Sequence, residues 1–537
     1  MKTRHADYLI IGGGTAGCVL AARLSEDPAV SVIMLEAGPH YRGLPIHIPA
    51  ALGSLYAKGA YHWSYLSHPE FYADYKILPY KTGRIVGGSS AINGLVWARG
   101  NQLDFDDWQA AGNPGWGYHD MEKLYRRIES FDDLSDKNMG HKGPIPVTRG
   151  RPENQLLSAV FMKAAAEADH RINPNHNSGD QEGFCALHRN TRNGRRGDVY
   201  QGYIHPIRKR KNLTILSGYL VEKIELDGTI ATGVLARKNG KQIRFSAKNE
   251  VILSSGSIAS PQLLELSGIG NPDILSSNGI SPRHNLPGVG ENFHTHPTIA
   301  LTYTCRKPVS ILGAARGPGK ILAGLRWLLT KTGPAATNHF EAGAFLKSSP
   351  DADRPDYQLT FLPLALNSMT EPVNQHGFQI YIELIGCKSR GQTHVSSPDI
   401  HTQPVFCFNF LKDSRDVDIY KQAVKTVRNL TAQPAFTSLI DNELVPGRNV
   451  TSEHDVEAWI KKCASLSHHL VGSCKMGPSS DPMAVVDHKL KVHGIDKLRV
   501  IDASIMPTIT SANTHATTIA IAEKGAMLVK NDKSSVH

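Results

Sequence analysis

An α/β fold with a Rossmann-type dinucleotide-binding unit is predicted by three features near the amino terminus. Ala6–Ile11 is an apolar run that ends in Gly12-Gly13-Gly14-Thr15-Ala16-Gly17. A small-residue helical stretch, Cys18–Leu24, follows and is closed by Asp27-Pro28. A second apolar run, Ser31–Leu35, then ends in Glu36, with Ala37 beyond it. Strand, glycine turn, helix and strand in that order are the setting in which G-x-G-x-x-G binds a dinucleotide. Gly12 permits the tight turn, Gly14 lets the backbone approach a pyrophosphate, and Gly17 lets the helix sit close to the strand. Thr15 and Ala16 belong to the same turn, and the helix start offers free N–H groups and a partial positive charge to the phosphates. Glu36 is spaced to accept hydrogen bonds from an adenosine ribose. It argues against a 2′-phosphate and leaves FAD and NAD open.

At 537 residues the chain has room for more than one domain. No uninterrupted apolar run approaches the ~20 residues of a membrane helix. The fingerprint begins too near the first residue for a leader, so a soluble, cytoplasmic protein without an integral membrane segment is expected. The seven cysteines are scattered without C-x-x-C spacing, which fits reduced thiols and no metal site. A formal net charge of +10 raises the question of nucleic acid. The densest basic cluster, Arg208–Lys211, has no nucleic-acid motif beside it, and a solvated basic surface is the reading adopted.

After Glu36 comes an aromatic loop region, residues 39–80, placed to cover part of a ligand. In Gly83-Arg84-Ile85-Val86-Gly87-Gly88-Ser89-Ser90-Ala91-Ile92-Asn93-Gly94, glycines surround two serines, a composition suited to backbone passing close to a flat or anionic group. Glu250–Leu253 reads as a short strand, and Gly256 opens a turn into a helix, Pro261–Leu266, with proline at the start. Between them, residues 212–247 alternate apolar and polar with turns at Asp227-Gly228 and Asn239-Gly240. From about 298 to 464 the pattern changes. Arg326–Leu329 and Asp416–Leu430 read as helical; Tyr357–Leu362, Phe378–Ile385 and Thr393–Ser396 read as strands.

The Gly83–Gly94 run resembles the first signature of the glucose–methanol–choline (GMC) family of FAD-dependent oxidoreductases, and Ser254–Gly270 resembles the second. Leu286–Asn292 and Asp502–Pro507 also match family positions, in family order. Among members the chain looks closest to bacterial choline-dehydrogenase-like and sorbose-dehydrogenase-like alcohol dehydrogenases. The resemblance implies an FAD domain assembled from residues 1–150, 201–297 and 465–537. It implies a substrate domain, an antiparallel sheet flanked by helices, from 151–200 and 298–464. The cofactor residues it implies, together with the fingerprint, are Gly12, Gly14, Thr15, Ala16, Gly17, Glu36, Ala37, Arg84, Gly87, Gly88, Ser90, Asn93, Gly94, Val221, Asp502, Ala503, His515 and Thr517. Where some relatives attach flavin through a histidine, Ile92 stands at or next to the position, so dissociable FAD is expected.

Ser467–Gly477 resembles the family's catalytic block and puts His469 at the catalytic histidine; His468 and Leu470 replace the family's aromatic and proline. The second catalytic position falls on His515, which many relatives fill with asparagine. Oxidising an alcohol requires removal of the hydroxyl proton while a hydride leaves the same carbon for flavin N5. Neutral imidazole suits that proton transfer near pH 7, and a partner that holds the oxygen stabilises developing alkoxide. His469 is taken as the main base and His515 as its partner. His339, Phe361 and His468 are weaker candidates for the substrate pocket, and adjacent His468 and His469 do not suit one metal ion. The reading is oxidation of a sugar, amino alcohol or other small alcohol, with electrons passed to a quinone or dye-type acceptor. The alternatives are an oxidase that reduces O2 to peroxide, a lyase that keeps FAD as structure, and a non-catalytic basic binding protein.

Overall fold

The structure, a computed structural model, describes residues 3–57, 59–368 and 370–534. Its first sheet grows outward from the Thr3–Ile11 strand, which lies parallel to Val32–Glu36 on one side and Lys241–Leu253 on the other. Leu213–Ser217 extends the sheet beyond Val32–Glu36, and Leu498–Val500 pairs with the end of Lys241–Leu253. Leu9, Ile10 and Ile11 are at most 2% exposed, because a parallel strand is covered on both faces; hence their continuous apolar run. The alternating segment is an antiparallel meander of Leu220–Asp227, Ile230–Lys238 and Lys241–Leu253. Its turns use left-handed Gly228, Asn239 and Gly240.

The second helix begins earlier than its proline suggests. It spans Gly256–Leu266, with Pro261 inside it and not at its start. Proline has no N–H for the carbonyl four residues back, which is that of Ser257. The Ser473 hydroxyl donates to this carbonyl instead, at 2.6 Å, so the break in the helix ladder is repaired from a distant loop.

A second, antiparallel sheet is centred on Pro297–Cys305, flanked by Gly377–Leu384 and Ile440–Val445. Tyr357–Leu362, Ala342–Leu346 and Gly183–Ala186 complete it. Ser465–Leu466 pairs against Thr298 and Pro297, which delivers the chain to Ser467-His468-His469 at the sheet's end.

The two glycine-rich segments interlock. The Gly87 N–H donates to the Gly13 carbonyl at 2.8 Å. A Cβ on Gly88 would meet Gly14 Cα at 2.6 Å, and one on Gly17 would lie 1.9 Å from the Gly12 carbonyl oxygen. Replacing glycine by alanine inside a helix ordinarily gains roughly 1 kcal/mol, but that gain is outweighed here by a backbone overlap nothing can relieve. Gly17→Ala is therefore expected to lower the thermal midpoint and the flavin absorbance of purified protein. Unchanged values of both would contradict the packing described.

Candidate active site

A cavity of about 1350 Å³ is lined by residues of both sheets. That exceeds the ~300–1,000 Å³ typical of a pocket for one small ligand and leaves room for a cofactor with substrate beside it. At one end lie Gly12, Gly14, Thr15, Ala16, Glu36, Ala37, Val221, Gly88, Asp502 and Ala503; Asn93 and Gly94 also face the cavity. The Glu36 carboxylate accepts from the N–H groups of Gly13 at 2.9 Å and Gly38 at 2.6 Å, and burial pushes its pKa up to about 7. Each oxygen keeps a second lone pair for a ribose hydroxyl. Asp502 accepts from the Gly256 N–H at 2.8 Å and the Ser260 hydroxyl at 2.6 Å, which fixes the start of the second helix against the cavity.

Other expected cofactor residues stand behind this lining. Gly17 and Gly87 shape the interlocked turns. Ser90 is fully buried and donates to the Gly87 carbonyl at 2.6 Å. Arg84 stacks over Trp63 at 4.3 Å and its charge reaches Glu36 without facing the cavity. Thr517 pairs with the Tyr125 hydroxyl at 2.8 Å, while its neighbour Thr518 is the threonine that lines the cavity. In a helix, consecutive residues point about 100° apart, so one position decides which side is presented.

At the other end the strand Ser465–Leu466 and a left-handed turn at His468 (φ 62) aim His469 into the cavity. The His469 N–H donates to Thr295 Oγ1 at 3.1 Å. His469 Nδ1 lies 3.0 Å from His296 Nδ1, and His296 Nε2 lies 3.0 Å from the Thr510 carbonyl. A carbonyl only accepts, so His296 carries its proton on Nε2 and presents a bare Nδ1. His469 must then donate from Nδ1, which leaves its Nε2 without a proton and able to accept one. Burial pushes the His296 pKa down to about 3 and, with the nearby His296 and His468, holds that of His469 well below its usual value. Both imidazoles are neutral at pH 7.

Asn513, unforeseen from sequence, donates from Nδ2 to His469 Nε2 at 3.1 Å. Gln358 reaches Asn513 Oδ1 at 3.5 Å and so sets which way the amide points. His515 is the first residue of the last helix, lines the same cavity, and packs edge-on to Trp97 at 5.9 Å. Its Nε2 is buried without a partner, as is fitting for a group that meets a ligand. His468 stacks on Tyr80 at 5.3 Å, and His339 lines the cavity from a left-handed position. Phe361 is a correction: it is fully buried and packs on Phe161 at 4.8 Å and Phe378 at 5.4 Å, on the far face of its strand. Its neighbours Thr360 and Leu362 face the cavity.

Comparison with known proteins identifies this architecture. Two family models, each described as GMC oxidoreductase, match residues 6–298 and 387–522. The chain belongs to the GMC oxidoreductase family. It is 40% identical over 534 residues to an oxygen-dependent choline dehydrogenase of Staphylococcus xylosus, covering 98% of this chain and 95% of that one. A counterpart in Staphylococcus saprophyticus is 39% identical with the same coverage. Among solved structures it resembles pyridoxine 4-oxidase from Mesorbium loti, with 29% identity, a TM-score of 0.88, and 97% and 98% of the two chains covered. Formate oxidase matches at 25% identity with a TM-score of 0.92 over 100% of both chains. The GMC chain described here is an FAD-dependent alcohol oxidoreductase.

Two outcomes follow from the histidine pair. His296→Ala is expected to lower kcat by roughly 10–10³-fold, short of loss of the base itself, with KM little changed; a wild-type kcat would exclude a positioning role. The unfolded chain binds protons near pH 6.5 that neutral His296, His468, His469 and His515 refuse until far lower pH. Stability is thus lost as pH falls from about 6.5 towards 4, and the urea midpoint is expected to be lower at pH 5 than at pH 7.5.

Proposed function

We propose that His469 Nε2 removes the hydroxyl proton of a small amino alcohol whose carbon-bound hydride passes to FAD. The observation that carries this reading is the fixed proton direction Thr510–His296–His469, which leaves His469 Nε2, on a ring that lines the cavity, unprotonated and held only by the Asn513 N–H. FAD, when bound, supplies the hydride acceptor, held by Gly12, Gly14, Glu36, Val221, Gly88, Asn93 and Asp502. The Asn513 N–H, already at 3.1 Å from the base, donates to the oxygen as negative charge develops on it. His515 offers its unpartnered Nε2 to the same region. Ile92 is 1% exposed and has no nucleophile to attach flavin, so the cofactor is released by acid precipitation.

The amino group is suggested by Glu383. Of the cavity-lining carboxylates among the described residues, Glu36 and Asp502 are engaged by backbone N–H groups. Glu383 is not: its Oε2 is buried without a hydrogen-bond partner. Glu383 is the cross-strand neighbour of Gln358 and of Thr298, in the row that leads to Ser465 and the catalytic block. Cross-strand neighbours lie ~5 Å apart, which puts the carboxyl within a small molecule's length of Asn513 and His469. The choline substrate in the names of its relatives fits an anion at this place. Those names, together with the two oxidases, favour dioxygen as acceptor over a quinone, and peroxide release reads the difference.

Two substitutions separate these roles. His469→Ala is expected to reduce turnover by roughly 10²–10⁴-fold with flavin content retained. Glu383→Gln is expected to raise KM for choline by about tenfold or more while sparing 3,3-dimethylbutan-1-ol, its uncharged analogue. Burial pushes the Glu383 pKa up to about 7, with the Ser467 and Thr360 hydroxyls facing the carboxyl and only Tyr381 and Tyr420 as titratable neighbours coupled to it. The carboxylate is charged above that value. The kcat/KM for choline should therefore fall below about pH 7, and that limb should vanish in Glu383→Gln; equal profiles for both alcohols would refute the assignment.

A further inference from the structure

The helix Gly317–Thr330 is amphipathic with its faces reversed. Trp327 points inward, 1% exposed, with its indole N–H on the Gly194 carbonyl at 2.5 Å. Ile321, Leu322, Leu325, Leu328 and Leu329 point outward, exposed by 66%, 65%, 50%, 48% and 82%. Their spacing of i, i+1, i+4, i+7 and i+8 is one continuous stripe, the pattern a helix ordinarily buries. Five large aliphatic side chains on a single exposed helix form a contiguous patch, not the scatter of lone apolar residues normal on a surface.

Charge selects the occupant. From Arg306 to Phe340 the chain holds Arg306, Lys307, Arg316, Lys320, Arg326 and Lys331 and not one Asp or Glu. Lys320 and Arg326 are exposed on the helix beside the stripe, and the whole chain carries +10. A second copy meeting this face across a twofold axis would set the same cations against each other, an isologous contact in which like charges oppose. An anionic bilayer meets both features at once: acyl chains take the aliphatic stripe and headgroups take the lysines and arginines. At 14 residues the helix is too short to cross a bilayer, and among the described residues no helix is long and apolar enough to do so.

We infer that Gly317–Thr330 is an interfacial anchor that lays the protein on an anionic lipid surface. Ala323 and Gly324 line the cavity from the inner side of the same helix, and the exposed Lys320 also lines it, so the anchored face borders the wall of the active-site cavity. This inference is independent of which alcohol is oxidised.

The test is cosedimentation of the FAD-loaded full chain with vesicles of phosphatidylcholine alone and of phosphatidylcholine mixed with phosphatidylglycerol. It is paired with sedimentation equilibrium in the absence of lipid. Binding is expected to the mixed vesicles, to weaken with salt, and to fall at least about tenfold in Leu325→Glu/Leu329→Glu. Both positions are exposed, so dye-coupled turnover and thermal midpoint should stay at wild-type values in that variant. Failure to bind mixed vesicles, or equal binding by the variant, would overturn the inference. So would a dimer in solution that the double substitution dissociates, since the face would then belong to a second copy.

Discussion

The contact between His296 and His469 is the constraint on which the catalytic end of the cavity depends. Two buried neutral imidazoles that meet nitrogen to nitrogen share one hydrogen, and a third group must decide which ring gives it. Here the decision is made by the Thr510 carbonyl, which accepts and cannot donate. The direction passes from Thr510 to His296 to His469 and emerges as a lone pair on Nε2. Neither ring could keep this state in water, where both would titrate near pH 6.5. Burial supplies the neutrality, and the backbone supplies the sense of the chain.

That geometry exists because three distant segments share strand register. Thr295 and His296 immediately precede the central strand of the antiparallel sheet; Ser465–Leu466 pairs with its first residues; Thr510 and Asn513 lie on the approach to the last helix. The Ser467 N–H donates to the His296 carbonyl at 3.1 Å and so ties the catalytic block to the strand before the side chains meet. Backbone pairing thus positions His469 to within hydrogen-bond tolerance, and side-chain contacts refine what remains. The cofactor end follows the same logic with glycine in place of register: Gly87 on Gly13 and Gly88 on Gly14 hold two loops so close that no Cβ fits on Gly88.

What was legible in the sequence was what is local. The fingerprint, Glu36 and the meander turns each declare themselves within one contiguous stretch, because turn chemistry and helix starts are decided by neighbouring residues, whereas His469 is singled out through resemblance to a family block. His296 and Glu383 do not declare themselves, since their roles arise from pairing with segments far away in the chain. Asn513 lies two residues from His515, yet nothing local distinguishes the residue that touches His469 from the one that faces the cavity beside it. Phe361 misled because every residue of Tyr357–Leu362 is buried, so composition cannot say which alternate positions face core and which face cavity. Pro261 misled for the opposite reason: its local preference for a helix start is real but was overridden by a hydroxyl from Ser473. The helix Gly317–Thr330 was legible only in its last turn, because an apolar stripe reads alike whether it meets a core or the outside.

The antiparallel sheet carries one carboxyl, Glu383, where burial opposes its charge. Along Gly377–Leu384, Ile380 and Ile382 turn to the core while Gln379, Tyr381 and Glu383 face the cavity, the period-two alternation of any half-buried strand. A threonine or glutamine at position 383 would satisfy that pattern at little cost, as Thr298 and Gln358 do on either side. Burial raises the pKa of a carboxyl there, and one of its oxygens is left unpartnered, which costs free energy when the group is charged. The Ser467 and Thr360 hydroxyls offset only part of the penalty. A cation that arrives with the proposed substrate would offset the rest, beside His469. In the reading proposed above, the same residue orients the bound molecule, ammonium towards the sheet and hydroxyl towards His469.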